Sequence, residues 1–267
     1  MPADHAANPP APVFPPRLAH WIRYRSQYLI PAAVLIAVWW LSVAIFDVPG
    51  YVLPDPASVV RALANGLASG DYVEAAAATT GSILGGFAAG TAIGMTLAIV
   101  MVLWPVLDRL VFPYIVALQS MPKIAIAPLM IVWFGFGYGA KVAIVAMVAA
   151  FPVLVNMLAG LRATEHERIE LMRALAASRL QILTQVLIPS ALPYLFAGLS
   201  AALVLSVTGA IVGARKGIGV LILQANYALD LASVFALLLL LGGISAVLNL
   251  ILRMIGARVV FWTQRKR

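Results

Sequence analysis

Long apolar stretches alternate with short polar stretches along most of the chain. Each apolar stretch is close to the length of about 20 residues that an α-helix needs to cross the hydrocarbon core of a bilayer. The pattern therefore predicts an all-α polytopic membrane protein with about six transmembrane helices. The predicted spans are residues 28–46, 76–103, 110–134, 141–160, 193–214 and 233–252, and Pro113, Pro122 and Pro128 interrupt the third.

The longest polar-bearing segment, residues 161–190, separates the fourth predicted span from the fifth. Thr164 and Glu167 stand at the spacing of a capping box and predict a helix that starts near Glu165. Apolar residues then recur at spacings of four, seven and four, which predicts one apolar face along this helix. These residues are Leu171, Leu175, Ile182 and Val186.

Two prolines predict where this helix stops and where the fifth span starts. Pro189 has no backbone N–H, so we expect the helix to end just before it. Pro193 is expected to open the fifth span, where a missing N–H is harmless. The pattern leaves two interpretations of the helix about equally open, one in which it lies on the membrane surface and one in which it docks against a partner protein.

Composition also indicates a membrane protein. Of the 267 residues, 63% are hydrophobic and only 10% are charged, and the mean hydropathy is +0.99. The sequence has no phosphate-binding loop of the Gly-x-x-x-x-Gly-Lys-Ser/Thr type and no room for a folded ATPase domain. It has no cysteine, and its three histidines lack the spacing of metal ligands. We therefore expect a non-catalytic chain that binds no metal and no cofactor of its own.

The basic residues lie mainly at the ends of the predicted spans. A net charge of +8 is compatible with nucleic-acid binding, but this distribution is typical of the positive-inside rule instead. With both termini in the cytoplasm, thirteen of the 18 Lys and Arg residues fall on the cytoplasmic side and four on the outer side. We expect a disordered basic tail at residues 1–27, a transmembrane domain at residues 28–252 and a basic tail at residues 253–267.

Residues 161–190 resemble the conserved cytoplasmic loop of permease subunits from ATP-binding-cassette (ABC) importers. That pattern runs Glu-Ala-Ala, then Gly three residues further on, then nine residues and Ile-x-Leu-Pro. Glu170 matches the Glu of the pattern. Val186, Ile188 and Pro189 match its closing hydrophobic residues and proline.

The sequence departs from this pattern at three positions. Leu171 and Met172 replace the two alanines, and Ala176 replaces the glycine. Because alanine favours continuous helix over glycine by about 1 kcal/mol, we expect a straighter loop than the pattern implies. The alternative is that tertiary packing bends the loop despite this preference. Residues 119–137, which begin Gln-Ser-Met-Pro-Lys, resemble the nitrate, sulfonate and taurine branch of the same family.

The resemblance implies a type I ABC-importer permease in the bacterial inner membrane. It implies a homodimer of permeases, two ATPase subunits that bind ATP and Mg²⁺, a periplasmic or extracellular substrate-binding protein, and no nucleic acid. The solute would be a nitrate-, sulfonate- or taurine-like anion or a pyrimidine-type compound. Residues 161–190, here called the coupling loop, would dock into the ATPase subunit through Glu170, Leu171, Leu175, Ala176, Ile182, Val186, Ile188 and Pro189.

Three glycines in the second predicted span stand four residues apart, at Gly86, Gly90 and Gly94. Such a face lets another helix approach closely because glycine has no side chain. That helix belongs either to a second copy of the chain or, as we favour, to the same chain.

Lys123 lies about 20 Å along the third predicted span, past the middle of the apolar layer. An ionisable group at that depth normally faces a bundle interior or a cavity. One interpretation places it on the translocation pathway of an anion, with Gln119, Ser120 and Asn156 as further pathway residues. In the other interpretation it is a structural lysine whose side chain reaches the outer interface.

A self-contained secondary transporter or channel is the alternative function. Such transporters often place carboxylates within the membrane for coupling to ions. Here all ten Asp and Glu residues lie in the tail, the loops or the ends of the predicted spans. This distribution weighs against ion coupling but leaves a channel open, and copurification with an ATPase subunit would separate the two classes.

Overall fold

The computed structural model describes residues 17–120, 126–135, 137–211 and 216–262. Within these ranges the regular secondary structure is helical and contains no strand, which confirms the predicted all-α class. A π-helical turn, Leu183–Leu187, lies between the helices Arg179–Ile182 and Ile188–Ala210. The helices are α1 (Arg17–Phe46), α2 (Pro56–Ala68), α3 (Asp71–Leu103), α4 (Pro105–Ser120), α5 (Ala127–Phe134), α6 (Tyr138–Arg162), α7 (His166–Ala174), α8 (Arg179–Ile182), α9 (Ile188–Ala210), α10 (Ile218–Tyr227) and α11 (Leu231–Val259).

The chain divides into two compact units, residues 1–58 and residues 59–267. In the first unit, the indole N–H of Trp39 on α1 donates to the carbonyl of Pro54 at 3.1 Å. The Asp55 carboxylate accepts the backbone N–H of Ser58 at 2.9 Å and so caps the start of α2.

In the second unit, α3 and α6 pack side by side and run parallel. Gly86 lies against Val145, and Gly94 lies against Val153, so the contact advances by the same eight residues on both helices. The glycine face is therefore filled by a helix of the same chain. Because α3 and α6 run parallel, the chain must return from the end of α3 to the start of α6. The two helices α4 and α5 make this return.

The described part of the third predicted span, residues 110–134, consists of two helices, which agrees with the predicted interruption by prolines, although α4 continues through Pro113. The helix α4 ends at Ser120 and α5 begins at Ala127, with residues 121–125 outside the described part. Pro128 occupies the first turn of α5, where its missing N–H leaves no hydrogen bond unmade.

The helix α6 lies at the centre of the core, between α3 and α9. It runs antiparallel to α9, because Gly160 lies against Ala191 while Gly209 lies near Val145. Gly160 sits so close to α9 that an added Cβ would lie 2.9 Å from the Ala191 Cα. Large apolar side chains of α6 are fully buried in this core, among them Ile144, Val153, Met157 and Leu158.

In the described part of the chain, four helical segments are long and apolar enough to cross a membrane, namely α3, α6, the continuous segment Arg179–Ala210, and α11. The part of α1 from Ile30 to Phe46 is a shorter apolar helix.

Three boundaries differ from the sequence expectation. The helix α1 begins at Arg17, within the predicted N-terminal tail, and the helix α11 continues to Val259, within the predicted C-terminal tail. Parts of both predicted tails are therefore helical. Basic side chains allow a span to extend beyond the apolar layer, because their stems cover apolar surface while their charges reach water. The stretch between the fifth and sixth predicted spans, for which no helix was predicted, contains the helix α10.

Candidate functional site

The coupling loop folds as two short helices with a sharp break between them. The helix α7 starts close to the predicted position, with Glu165 as its N-cap residue. The predicted capping box between Thr164 and Glu167 is wrong, because no side chain caps this end and the buried Thr164 hydroxyl has no hydrogen-bond partner in the described residues. The Glu165 carboxylate instead accepts a hydrogen bond from Arg168 Nε at 2.7 Å.

The break lies at Ala176, where the backbone turns to a left-handed φ of 57°. The N–H of Ala177 donates to the Met172 carbonyl at 3.0 Å, and the N–H of Ala176 donates to the Arg173 carbonyl at 2.9 Å. These two bonds form a Schellman motif, in which the residue with positive φ is usually glycine. The expectation of a straight loop helix is therefore wrong, and the structure gives a physical reason for the glycine of the family pattern.

The helix α8 begins with the capping box that the sequence analysis assigned elsewhere. The Ser178 hydroxyl accepts the N–H of Gln181 at 3.3 Å, and the Gln181 side chain accepts the N–H of Ser178 at 2.7 Å. The sequence signal was present, because Ser-x-x-Gln is itself a capping-box pattern.

Neither proline interrupts the chain after α8. The π-helical turn precedes Pro189, which lies in the first turn of α9, and Pro193 lies inside α9. A wide π turn changes the hydrogen-bond register, so the missing N–H of Pro189 is tolerated without a break. The predictions that the helix ends before Pro189 and that Pro193 opens the next helix are wrong. The coupling loop is instead continuous with a membrane-spanning helix.

The apolar face expected along the loop is split between two environments. Leu171 and Leu175 on and after α7 are 62% and 70% exposed, whereas Ile182 is only 7% exposed and belongs to the core. The break at Ala176 causes this split, since it ends the helical periodicity on which the prediction depended. Leu180, which the prediction did not include, is 68% exposed on α8.

The remaining predicted coupling residues lie on both sides of this split. Glu170 is exposed on α7, with a carboxylate oxygen 3.2 Å from His166 Nε2. Val186, Ile188 and Pro189 are partly buried in or just after the π turn.

The first residues of the coupling loop contact α4. Arg162, the last residue of α6, forms an ion pair with Asp108 near the start of α4. Its guanidinium also lies over the Phe112 ring, 5.2 Å from the ring centre. Arg162 therefore makes a charged contact and a cation–π contact on the same helix.

The structure places the candidate pathway residues unevenly. Lys123 lies outside the described residues, and Gln119 and Ser120 end α4. Asn156 donates from Nδ2 to the Pro152 carbonyl at 2.8 Å and packs against Gly198 of α9. Asn156 is thus placed in the contact between α6 and α9.

An apolar groove of about 850 Å³ lies between α3, α4, α5 and α6. Aromatic side chains of Trp133, Phe134, Tyr138 and Phe151 contribute to its wall. No group of three or more metal-ligating side chains occurs in the part of the chain that the structure describes.

Comparison with known proteins places this arrangement in a family. The chain matches binding-protein-dependent transport system inner membrane components over residues 90–261. It is 33% identical over 233 residues to the riboflavin transport system permease protein RibX of Chloroflexus aurantiacus, covering 86% of this chain and 87% of the relative. It is 30% identical over 240 residues to the taurine transport system permease protein TauC of Escherichia coli, with coverage of 86% and 87%.

The fold is also similar to a solved ABC transporter chain. A chain of the MetNI methionine ABC transporter, in inward-facing conformations, aligns with a TM-score of 0.54 at 25% identity and covers 78% of this chain and 97% of that one. The helical fold, the broken coupling loop and the family match agree with one another. The chain therefore belongs to the binding-protein-dependent inner membrane components and is a permease subunit of an ABC importer.

Proposed function

We propose that this permease docks onto its ATPase subunit through three exposed leucines of the coupling loop, Leu171, Leu175 and Leu180, here called the leucine surface. The observation that carries the proposal is the exposure of all three side chains, at 62%, 70% and 68%, in the coupling loop. Leu171 and Leu175 lie on and just after α7, and Leu180 lies in α8, at the start of the long segment Arg179–Ala210. Burying such side chains against a partner is favourable, by about 25 cal/mol for each Å² of apolar surface removed from water.

Charged residues surround the leucine surface and suit a protein partner. Glu170, Arg173 and Arg179 are exposed on the same short helices. An apolar centre with a charged rim is the usual composition of a protein interface. The membrane-surface interpretation of the loop is less favoured, because the family is defined by transport systems with several components.

Orientation follows from this assignment. If the coupling loop faces the cytoplasmic ATPase, α6 ends inside, and both α3 and α6 begin at the outer end of the bundle. The excess of Lys and Arg on the same side, with both termini in the cytoplasm, supports this orientation.

The structure offers two routes by which motion of the ATPase subunits would reach the membrane helices. The first is the continuous backbone from α8 through the π turn into α9. The second is Arg162, which joins the start of the loop to α4 through Asp108 and Phe112. Closure of the ATPase subunits would thus move α9 and α4 together and change which side of the membrane the pathway faces.

The chain itself makes and breaks no bonds in this scheme. ATP and Mg²⁺ bind to two copies of the ATPase, two permease copies form the pathway, and a binding protein delivers the solute. A small solute of the anionic or pyrimidine type remains our expectation, and the relatives are named for different solutes, riboflavin and taurine. The placement of Lys123 on the pathway stays a prediction, for which loss of uptake in Lys123→Met is the test.

The leucine surface is tested by placing a charge on it. We expect Leu175→Asp and Leu180→Asp to insert normally and to lower uptake at least about tenfold, because docking would bury a carboxylate. Gln185→Asp is the matched control, since Gln185 is also exposed in the loop but has little apolar surface to bury. Uptake at the wild-type rate by both inserted leucine variants would contradict the docking role.

A further inference from the structure

Two buried polar side chains fasten the start of α10 at the end of the bundle opposite to the coupling loop. The Thr79 hydroxyl of α3 accepts the N–H of Ile218, the first residue of α10, at 3.0 Å. Lys141, in the first turn of α6, donates from Nζ to the carbonyl of Lys216 at 3.1 Å. Thr79 is fully buried, and Lys141 is 3% exposed.

The backbone that these side chains hold has little space around it. Gly217 has a φ of 116°, and a Cβ added there would lie 2.6 Å from the Thr79 hydroxyl and 2.9 Å from Lys141 Nζ. A Cβ on Gly219 would meet the carbonyl group of Ile211. Glycine is thus required at position 217 by both conformation and packing, and the contact is well defined.

Lys141 is an unfavourable residue for this contact if the contact only had to be stable. A buried ammonium is expensive unless it is paired and fully hydrogen-bonded. Among the described residues Lys141 has no ion pair, and its hydrogen-bond acceptor is a neutral carbonyl. A lysine at the start of a helix also opposes the helix dipole. Hydration of the ammonium would therefore favour separation of this contact, whereas an apolar residue would favour its persistence.

We propose that Thr79 and Lys141, here called the outer latch, close the outer end of the permease by holding α10 in place and release it when the pathway opens outward. The inference rests on the proposed function, which puts the starts of α3 and α6 on the outer side. Thr79 supplies the closing hydrogen bond, and Lys141 supplies the tendency to release, since its charge regains water when the latch opens.

The absence of native cysteine gives a direct measurement of latch opening. Ser82 is fully buried one turn after Thr79, and its hydroxyl donates to the Thr79 carbonyl at 2.8 Å. In a Ser82→Cys background, the assembled transporter is treated from the outside with a membrane-impermeant maleimide. The rate of labelling then reports how often the outer end opens.

Thr79→Val keeps the shape of the side chain but removes the acceptor of the Ile218 N–H. Loss of one buried hydrogen bond is expected to raise the open population, and so the labelling rate, by about tenfold. Thr79→Ser retains the hydroxyl and should label like the parent. Glu74→Gln is the matched control, because the ion pair of Glu74 with Lys216 at 3.3 Å is exposed to solvent and its loss should change the labelling rate little.

Lys141→Met should act in the opposite direction. Methionine has a similar length but no charge to hydrate, so we expect slower labelling and lower uptake than in the parent. Unchanged labelling in Thr79→Val, or labelling of Glu74→Gln as fast as that of Thr79→Val, would overturn the latch. Faster labelling in Lys141→Met would overturn the release role of the lysine.

The labelling measurement separates the latch from the proposed coupling. It is made without ATP or solute and does not depend on the leucine surface. If Leu175→Asp and Leu180→Asp transport normally while Thr79→Val opens the outer end, the docking proposal fails and the latch stands. If the leucine variants lose uptake while Thr79→Val labels like the parent, docking stands and the latch fails.

Discussion

Ala176 replaces the glycine of the family pattern, but its backbone has the conformation that a glycine would adopt there. The residue has the left-handed conformation that glycine adopts readily, with φ at 57°. The N–H groups of Ala176 and Ala177 still make both hydrogen bonds of a Schellman motif. Helix propensity favoured a straight loop, but the packing of the partly buried Met172 and Ala177 against the core outweighs a preference of about 1 kcal/mol.

Ala176→Gly is therefore expected to stabilise the protein. An L-residue in the left-handed region is about 1 kcal/mol less favourable than glycine, so the midpoint of thermal unfolding should rise by about 2–4 °C. Ala177→Gly is the control, because position 177 is not among the described residues with positive φ, and that variant should gain nothing. A lower midpoint in Ala176→Gly than in the parent would contradict this account.

Sequence reasoning at the level of single residues was reliable where a pattern was local and complete. The glycines at positions 86, 90 and 94 indicated a close helix contact, and the structure fills that face with α6. It failed where two patterns competed, because Thr164 and Glu167 fit a capping box as well as Ser178 and Gln181 do. Which pair caps a helix depends on where the backbone breaks, and that position is known only from the structure.

At the scale of elements, the contact between α3 and α6 organises the core. A Cβ on Gly90 would lie 2.8 Å from the Ala149 Cβ, and a Cβ on Gly94 would lie 2.6 Å from the Ala150 carbonyl oxygen. Both distances are shorter than a van der Waals contact, so the two backbones can approach only because these residues lack side chains.

Gly90→Ala is expected to destabilise this contact. Overpacking of a close-packed core costs about 1–3 kcal/mol, which corresponds to a fall of several degrees in the thermal midpoint. Gly243→Ala on α11 is the matched control, since an added Cβ there meets no described atom within 4 Å. The control should be as stable as the parent or more so, because alanine is the better helix former. Equal midpoints for the two variants would show that the contact tolerates a methyl group.

The continuity of α8 with α9 could not be predicted from residue preferences. Proline normally ends a helix, and both Pro189 and Pro193 were expected to mark boundaries. The π turn at Leu183–Leu187 admits Pro189, and it is stabilised by the burial of Leu183 and Leu187 in the core. Tertiary packing therefore determines that α8 continues into α9, and the spacing of apolar residues in the sequence does not predict it.

At the scale of the whole molecule, length and apolar pattern were sufficient to predict the helical class and the positions of the long spans. They also located the third span, and its prolines indicated an interruption, although neither of its two described helices is long enough to be a candidate span by itself. The parallel arrangement of α3 and α6 shows that the chain returns through α4 and α5. Which exposed leucines form the candidate docking surface required the structure, because Ile182 and Leu180 are equally apolar in sequence but are 7% and 68% exposed.

Docking of the ATPase subunit on the leucine surface is tested most directly by site-directed crosslinking. Because the chain has no cysteine, Leu180→Cys and Gln185→Cys each carry a single reactive thiol on an exposed part of the loop. A thiol-linked photocrosslinker at position 180 is expected to capture the ATPase subunit in the assembled transporter, and the same reagent at position 185 is expected to capture much less. Capture of the ATPase from position 185 but not from positions 171, 175 and 180 would contradict the account.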